Sequence, residues 1–415
     1  MKKLPTLTFG VGDRFGLEGE AQLKAIMAIR ERGVDAAPVW NKSFREHSLV
    51  GTRPEDVRAE ADAAVAALGW KGPYFVDADH IRISNVDAFT AASDFFTIDV
   101  ADAIGREVPE SDCRDFADRH ADLVGEHRLE DLDQPVVVTT DLLASVAAKY
   151  LAAAREAGRV YRRILERRGQ DDFATEVSMD ETSDPQRPAE LLAILAALAD
   201  EKIPLQTIAP KFSGEFHKGV DYLGDPALFG AEFDADVAVV AFAVKAFDLP
   251  SNLKLSVHSG SDKFAIYPYI ARSIRRRNAG VHIKTAGTTW LEEVAGLAAS
   301  GAEGLALAKR ICLEALPRID ELAAPYAAVL SIDRSRLPSA DEIASWDADT
   351  FVGRLVHDDS CPLYSPDFRQ FVHISYSIAA GMGATFTDAV KANKAVVGEF
   401  VTRNLLERHL NLLAE

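Results

Sequence analysis

The sequence contains little cysteine, with three residues in 415, at Cys113, Cys312 and Cys361. Three scattered thiols exclude a disulfide framework and a cysteine-rich zinc site, and they are typical of a reducing compartment. No run approaches the roughly 18 apolar residues of a membrane-spanning helix. The opening residues, MKKLPTLTFG, lack the apolar core of a secretory signal. We therefore expect a cytoplasmic protein that has no membrane partner.

Positive charge is also scarce. The chain has 46 lysine and arginine residues against 64 aspartate and glutamate residues, which gives a net charge of −18. Nucleic-acid binding depends on clustered lysine and arginine side chains at phosphates, so no nucleic-acid partner is expected. The remaining composition, 48% hydrophobic and 27% charged, is that of an ordinary globular protein.

The apolar runs that are present are short and regularly placed. Eight of them alternate with longer amphipathic stretches, and they begin at Leu7, Pro38, Pro73, Phe95, Ala174, Pro204, Leu253 and Gly280. The intervening patterns predict helices over 18–33, 54–69, 187–202, 226–247 and 261–277. Such alternation predicts parallel strands joined by helices. The count of eight favours an α/β fold of the closed (β/α)8, TIM-like type over an open doubly wound sheet.

Two segments interrupt this rhythm. Residues 102–173 are too long for one crossover and predict a long helix over 141–168, so we expect a helical insertion after strand 4. This insertion would serve as a lid or as a contact in a homo-oligomer. Residues 300–415 predict a helical C-terminal extension that packs on the barrel. The whole chain, 1–415, is therefore expected to form a single barrel domain.

Titratable residues concentrate where the predicted strands end. In a barrel of this type the active site lies at the C-terminal ends of the strands. Burying many charged groups there without partners would be costly, so they are expected to share one polar cavity. The strand ends contribute Asp13, Arg14, Asp77, Asp79, His80, Asp99, Glu176, Asp180, Glu181, Lys211, Glu215, Lys218, His258, His282 and Lys284.

Three of the ten histidines lie on these strands or at their ends. His258 and His282 are on neighbouring strands, within reach of one ion, and His80 would approach from across the mouth. Imidazoles with nearby carboxylates suit one divalent cation, Zn²⁺, Mn²⁺, Co²⁺ or Ni²⁺, and the order of affinities does not choose among them. Taken singly, each of these histidines could equally be a buried structural residue that is hydrogen-bonded to the backbone. His217, which follows Glu215 closely, is a further candidate ligand.

Two loops of small residues follow the last two strands. Ser259, Gly260 and Ser261 offer free backbone N–H groups near a helix start, and Lys263 adds positive charge. The second loop repeats this arrangement after Lys284. Together the two loops favour an anionic substrate, although the first is also explained as a turn in which an aspartate caps the next helix.

Several strings of residues together resemble one family. In chain order they are GVGDR, DADH, EVSMDET, KFSGEFHKGVDYLGD, LKLSVHSGSDKFAIYP, HIKTAGTTWLE and RQFVHISY. They resemble the tagaturonate/fructuronate epimerase family of bacterial hexuronate catabolism, and the strings SGSDKF and KTAGT are the most specific. The likeness runs from Phe9 to beyond Tyr376, and residues 102–173 match poorly.

The resemblance implies a divalent-metal-dependent isomerase that inverts C4 of a small anionic keto-hexuronate, interconverting tagaturonate and fructuronate. It implies metal ligands at His80, His258 and His282, a proton acceptor at Asp79 and a proton donor at Glu215. Asp79 directly precedes His80, so on a regular strand the two side chains point to opposite faces unless the strand end bends. The remaining expected contacts to substrate, some of them rival bases or carboxylate-binding lysines, are Asp13, Arg14, Glu176, Asp180, Lys211, Ser259, Ser261, Lys263 and Lys284.

The chemistry of such a substrate favours a retro-aldol route. The C4 hydrogen is adjacent to neither the C2 ketone nor the C6 carboxylate, so it is not acidic. A base would instead remove the proton of the C4 hydroxyl, the C3–C4 bond would break, and a metal would stabilise the resulting enediolate. Rotation of the aldehyde and re-formation of the bond would then invert C4.

Two other classes of function stay open at this point. One is another metal-dependent sugar aldolase or ketose isomerase on the same barrel. The other is a non-catalytic sugar-acid sensor, which would not need to keep an acid, a base and a metal site together.

Overall fold

Eight parallel strands form a closed barrel in the computed structural model, which describes residues 2–285 and 287–414. The barrel confirms the predicted (β/α)8 fold, and each of the eight predicted apolar runs overlaps one of its strands, although the second strand begins before Pro38 and extends beyond its predicted run. Around the barrel the strands follow the order β1, β2, β3, β4, β7, β8, β9 and β10. Their bounds are β1 Leu7–Gly12, β2 Ala36–Ser43, β3 Phe75–Ile81, β4 Phe95–Asp99, β7 Ala174–Ser178, β8 Thr207–Ala209, β9 Lys254–His258 and β10 Val281–Lys284.

Helices surround the barrel, and proline is the first residue of four of the described helices, where its missing N–H costs nothing. The main core lies between strands and helices and includes the fully buried Phe9, Trp40 and Phe96. The helices up to the last strand are α1 Gly19–Glu31, α2 Phe44–Val50, α3 Pro54–Ala67, α4 Glu110–Arg119, α5 Thr140–Arg168, α6 Pro188–Asp200, α7 Pro226–Ala246 and α8 Tyr267–Arg276.

The segment between β4 and β7 contains α4, α5 and a small antiparallel hairpin. The hairpin pairs β5 Gly125–His127 with β6 Val136–Val138, and the sequence patterns did not predict it. The long helix α5 packs against α4 and α6, and its buried side chains belong to the main core.

The chain after β10 is helical and has a second core of its own, built around Trp290, Phe368 and Phe371. Helix α17 packs against both α1 and α9, which closes the outer layer of the barrel. The helices are α9 Thr288–Ala299, α10 Ala302–Ala315, α11 Ile319–Ala323, α12 Ala340–Ser345, α13 Ala348–Leu355, α14 Pro366–Ile374, α15 Tyr376–Met382, α16 Ala384–Ala392, α17 Lys394–Arg403 and α18 Asn411–Ala414. In the described chain, no helix combines the length and apolarity needed to cross a membrane.

One helix begins later than expected. The pattern predicted a helix from Ser261, whereas a 3-10 turn starts at Phe264 and α8 starts at Tyr267. Asp262 does not cap the helix, because its carboxylate accepts hydrogen bonds from side chains of the C-terminal segment, including Arg369 and His409.

Candidate active site

A cavity of about 1460 Å³ opens at the C-terminal ends of the barrel strands. It lies where the fold places the active site of such barrels. Strand ends line one side, and residues of the C-terminal helical segment line the other. The predicted site residues that line it are Arg14, Asp79, His80, Asp180, Lys211, Glu215, His258 and Lys284.

The end of β3 bends so that both Asp79 and His80 line the cavity. His80 has a φ of +52°, in the left-handed region that non-glycine residues seldom adopt, and the register with β4 shifts between Ala78 and Ile81. Such an irregularity redirects side chains at the end of a strand. The distance from Asp79 Oδ1 to His80 Nε2 is 3.9 Å. The strand therefore presents a carboxylate and an imidazole side by side.

Lys284 forms ion pairs with Asp77 and Asp79 beneath the mouth of the cavity. Its Nζ lies 2.5 Å from Asp79 Oδ1 and 2.8 Å from Asp77 Oδ2, and it donates to Thr97 Oγ1 at 2.7 Å. Burial by itself would raise the pKa of Asp79, but the charges of Lys284 and His80 lower it to about 2. For Asp77 burial prevails over Lys284 and raises the pKa to about 6. Asp79 is thus an ionised carboxylate that faces the cavity, as is Asp180, whose pKa burial would raise but the charge of His258 lowers.

His258, at the end of β9, lies between two carboxylates. Its Nε2 is 2.8 Å from Glu176 Oε1, and its Nδ1 is 3.2 Å from Asp180 Oδ2. Burial would lower the pKa of His258, but Asp180 and Glu176 raise it to about 10. The His258 and His80 rings are edge to face, with centroids 5.1 Å apart. The structure therefore brings these two imidazoles together at the mouth.

A third imidazole, His217, lines the same cavity from the loop after β8. Its Nε2 is 2.9 Å from Glu215 Oε2, and burial lowers its pKa. Within the described chain the Nδ1 atoms of His217 and His80 have no hydrogen-bond partner, whereas His258 Nδ1 faces Asp180. Glu215 itself is two-thirds exposed and lines the cavity.

The structure does not bring His282 to the mouth. In the register of β9 and β10, Lys284 is opposite His258, and His282 is opposite Ser256. His282 precedes Lys284 by two residues in the strand, so it lies about 7 Å deeper in the barrel than Lys284. There it is fully buried, its Nδ1 lies 3.1 Å from the Thr8 carbonyl oxygen, and burial lowers its pKa to about 3.

In the described part of the chain, one group of three residues has potential metal-ligand atoms within 4.8 Å of one another. The group consists of His80, Asp99 and Glu181. Asp99, however, already has a cationic partner. Arg82 donates from Nε to Asp99 Oδ2 at 2.8 Å, and the Ala101 N–H donates to Oδ1 at 2.9 Å. Both carboxylate oxygens of Asp99 are therefore engaged by the protein.

Five predicted contacts to substrate are instead held within the fold. Ser259 Oγ donates to the Lys284 carbonyl, Ser261 Oγ accepts from the Gly219 N–H, and Lys263 Nζ donates to the His217 and Val220 carbonyls. Asp13 accepts from four backbone N–H groups, those of residues 15–18, and Glu176 lies beneath His258 with no exposed surface. These residues shape the loops under the cavity without lining it.

The cavity also has residues that strand-end reasoning did not assign to it. Tyr326, His373 and Tyr376 reach it from the C-terminal segment; the string RQFVHISY of the family resemblance includes His373 and Tyr376, and no pattern marks Tyr326. Lys218, which was expected at a strand end, also lines the cavity from the loop after β8. Burial and the nearby charge of Arg14 lower the pKa of Lys218.

The fold and this polar mouth define an enzyme of the (β/α)8 barrel class, with carboxylates, imidazoles and lysines converging on a cavity for a small polar molecule. Comparison with known proteins gives the family. A family model described as tagaturonate epimerase matches residues 2–413, and the chain therefore belongs to that family. It is an epimerase of the isomerase class.

Individual relatives agree with this assignment. The tagaturonate/fructuronate epimerase of Thermotoga maritima is 26% identical over 425 residues, which cover 98% of this chain and 80% of that protein. Crystal structures of the fructuronate-tagaturonate epimerase UxaE from Cohnella laeviribosi cover all of this chain and 82% of theirs. The glycerol complex has a TM-score of 0.81 at 23% identity, and the native form 0.78 at 24%. This likeness supports the fold.

Proposed function

We propose that this protein acts in the cytoplasm on a small anionic sugar. It interconverts tagaturonate and fructuronate by inverting C4. One observation carries the proposal: in a member of the tagaturonate epimerase family, Asp79, His80 and His258 converge on a single cavity. An ionised carboxylate beside two imidazoles supplies a base and a site for a cation, which are the two requirements of a retro-aldol reaction.

The same cavity would hold one divalent cation, such as Zn²⁺, Mn²⁺, Co²⁺ or Ni²⁺. In metal sites a histidine ligand commonly donates its second ring N–H to a carboxylate. His217 Nε2 lies beside Glu215, His258 lies between Glu176 and Asp180, and the His80 ring is 5.1 Å from that of His258. In the described chain the ligand atoms of the three imidazoles do not all lie within 4.8 Å of one another, so their side chains would have to close around the ion. We propose these three imidazoles as the ligands, in preference to His282 below the cavity. When bound, the ion supplies Lewis-acid stabilisation of negative charge on substrate oxygens.

Asp79 is the proposed proton acceptor. Its carboxylate lines the cavity, and Lys284 and His80 keep it ionised, which is the state that an acceptor needs. Asp79 would take the proton of the C4 hydroxyl as the C3–C4 bond breaks. This leaves an enediolate on C2 and C3 and an aldehyde at C4.

Glu215 is the proposed proton donor. It lines the same cavity next to His217. After the aldehyde presents its other face to C3, the C3–C4 bond re-forms and the new C4 alkoxide takes a proton from Glu215. The hydrogen on C4 stays on that carbon throughout, so the reaction inverts C4 without exchanging this hydrogen with solvent.

The test is product analysis before and after metal removal. Purified protein is incubated with tagaturonate, and the products are followed by NMR. Fructuronate is expected to form, to be lost after treatment with EDTA, and to return when a divalent ion is added. Three-carbon products alone would indicate an aldolase, movement of the carbonyl along the chain a ketose isomerase, and tight binding without turnover a sensor; each of these results contradicts the proposal.

A further inference from the structure

The cavity has a second, cationic side formed by Arg14 and Lys218. Arg14 is 6% exposed and held on three sides. Its Nε donates to Glu46 Oε1 at 3.2 Å, its Nη1 donates to the His373 carbonyl at 3.2 Å, and its guanidinium carbon lies 3.8 Å from the centre of the Tyr376 ring. Arg14 is therefore a fixed positive charge in the wall of the cavity.

Lys218 differs from Lys284 and Lys263 of the neighbouring loops. Lys284 Nζ contacts Asp77 and Asp79, and Lys263 Nζ donates to three backbone carbonyls and one hydroxyl. In residues 2–285 and 287–414, by contrast, no acceptor lies within hydrogen-bond distance of Lys218 Nζ. A half-buried ammonium without an acceptor is unfavourable unless it binds an anion.

The local backbone orients Lys218 into the cavity. Its N–H donates to the Val329 carbonyl of the C-terminal segment at 2.9 Å. On the opposite side its Nζ rests against Gly260, where a Cβ atom would lie 2.9 Å from it. Gly260 also has a φ of +68°, so glycine satisfies both the turn and the approach of the ammonium.

We infer that Lys218, beside Arg14, binds the carboxylate of the keto-uronate and retains the carboxylate-bearing half of the substrate while its carbon–carbon bond is broken. The inference rests on the proposed function. Breaking C3–C4 leaves a three-carbon enediolate and a three-carbon hydroxy-aldehyde acid, and the C6 carboxylate is on the second fragment. With that carboxylate held, a turn about the C4–C5 bond exposes the other face of the aldehyde to C3.

The experiment compares Lys218→Met, Lys218→Arg and Lys245→Met in the full-length, metal-loaded protein. Lys245 is an exposed lysine of α7 that does not line the cavity, and it is the control. Two quantities are measured with tagaturonate: kcat/KM, and the ratio by NMR of dihydroxyacetone released to fructuronate formed. Dihydroxyacetone is the product when the enediolate is protonated after the second fragment escapes.

We expect Lys218→Met to lower kcat/KM by roughly 100-fold, since a charge-assisted contact to a carboxylate is lost. It should also release dihydroxyacetone in a measurable fraction of turnovers. Lys218→Arg should recover most of kcat/KM, and Lys245→Met should behave as wild type. A merely structural role would lower activity without raising the released fraction, and that result would overturn the inference, as would an unchanged Lys218→Met variant.

A binding measurement separates this inference from the proposed function. The probe is the hydroxy acid obtained by reducing the ketone of tagaturonate, titrated calorimetrically into wild type and Lys218→Met. Weaker binding by Lys218→Met supports the carboxylate site even if wild type fails to interconvert the two sugars, in which case only the proposed function fails. Equal binding by both proteins rejects the carboxylate site.

Discussion

At the scale of single residues, Asp77 and Asp79 form a natural pair for comparison. Both contact Lys284 Nζ, and both are nearly inaccessible to solvent. Only Asp79 lines the cavity, because Asp77 lies two residues deeper on the same face of β3. The proposed role in catalysis therefore depends on how close a carboxylate lies to the mouth, and the loss of an ion pair to lysine is common to both positions.

Asp79→Asn is expected to lower kcat by about 10²- to 10⁴-fold, the usual contribution of a general base. Asp77→Asn, the matched control, should destabilise the protein while keeping kcat within about tenfold of wild type, since Asp77 does not face the cavity. Steady-state kinetics, circular dichroism and metal analysis of both variants provide the check. Equal losses of kcat would mean that pairing with Lys284, and not proton transfer, is what matters at Asp79.

The proposed ligand set gives a second prediction at this scale. His217→Ala and His258→Ala should each weaken metal binding by at least roughly 100-fold, more than the loss of a residue behind a ligand usually costs. His282→Gln should keep the ion, because His282 lies below the cavity. Metal content after dialysis, measured by elemental analysis, distinguishes the sets. Loss of metal from His282→Gln together with retention in His217→Ala would favour the ligands that the family resemblance implies.

At the scale of elements, Asp262 links the loop after β9 to the C-terminal segment. Its Oδ2 accepts from Arg369 Nη2 at 2.6 Å and lies 3.1 Å from His357 Nδ1. Its Oδ1 lies 3.0 Å from His409 Nε2 and accepts from Thr288 Oγ1 at 3.0 Å. All of these side chains are buried. The loop that follows His258 is thereby fixed to helices more than 90 residues away in sequence.

Asp262→Asn should destabilise the protein by about 3–5 kcal/mol, because the buried Arg369 loses its nearest carboxylate and keeps only Glu292, at 3.5 Å. Asp320→Asn removes the partner of the exposed Arg334 and should cost less than about 1 kcal/mol. Urea unfolding of the two variants tests the contrast. A similar small loss for both would show that the Asp262 contacts do not hold the segment to the barrel.

The elements also show what the sequence could and could not predict. Short apolar runs alternating with helices were sufficient for the eight strands, and strand ends correctly brought Asp79, His80 and His258 to one cavity. The depth of His282 depends on the register between β9 and β10, which periodicity does not contain. Likewise the left-handed conformation of His80 depends on tertiary contacts and has no pattern of its own.

At the scale of the whole molecule, the barrel mouth is completed by a segment that follows the last strand. Tyr326, His373 and Tyr376 line the cavity although they are distant in sequence from every strand end. Lys218 was noted at a strand end, but its lack of a partner became apparent only once its neighbours were placed. The carboxylates and imidazoles at the mouth could thus be predicted in part from the strand ends, whereas the walls of the cavity required the complete fold.

The stability of the whole chain should depend on pH through Glu18. Glu18 is 1% exposed, and burial, with the nearby Asp13, raises its pKa from 4.5 to about 8. The folded state therefore binds a proton more tightly than the unfolded state, so this contribution is complete below about pH 4.5 and is lost as pH rises through 8.

Glu18→Gln should accordingly gain stability relative to wild type as pH rises, by roughly 4 kcal/mol between pH 5 and pH 9. Urea unfolding at pH 5, 7 and 9 measures the difference. Glu20→Gln, in the neighbouring and more exposed position, is the control and should show no such trend. A constant difference between Glu18→Gln and wild type would contradict the proposed burial effect.

The most direct test of the account is the fate of the C4 hydrogen. Metal-loaded protein is incubated with tagaturonate in deuterium oxide, and the fructuronate that forms is examined by NMR and mass spectrometry. We predict that fructuronate accumulates with protium at C4, because the C3–C4 bond breaks and the C4–H bond does not. Deuterium at C4, or no fructuronate at all, would contradict the account.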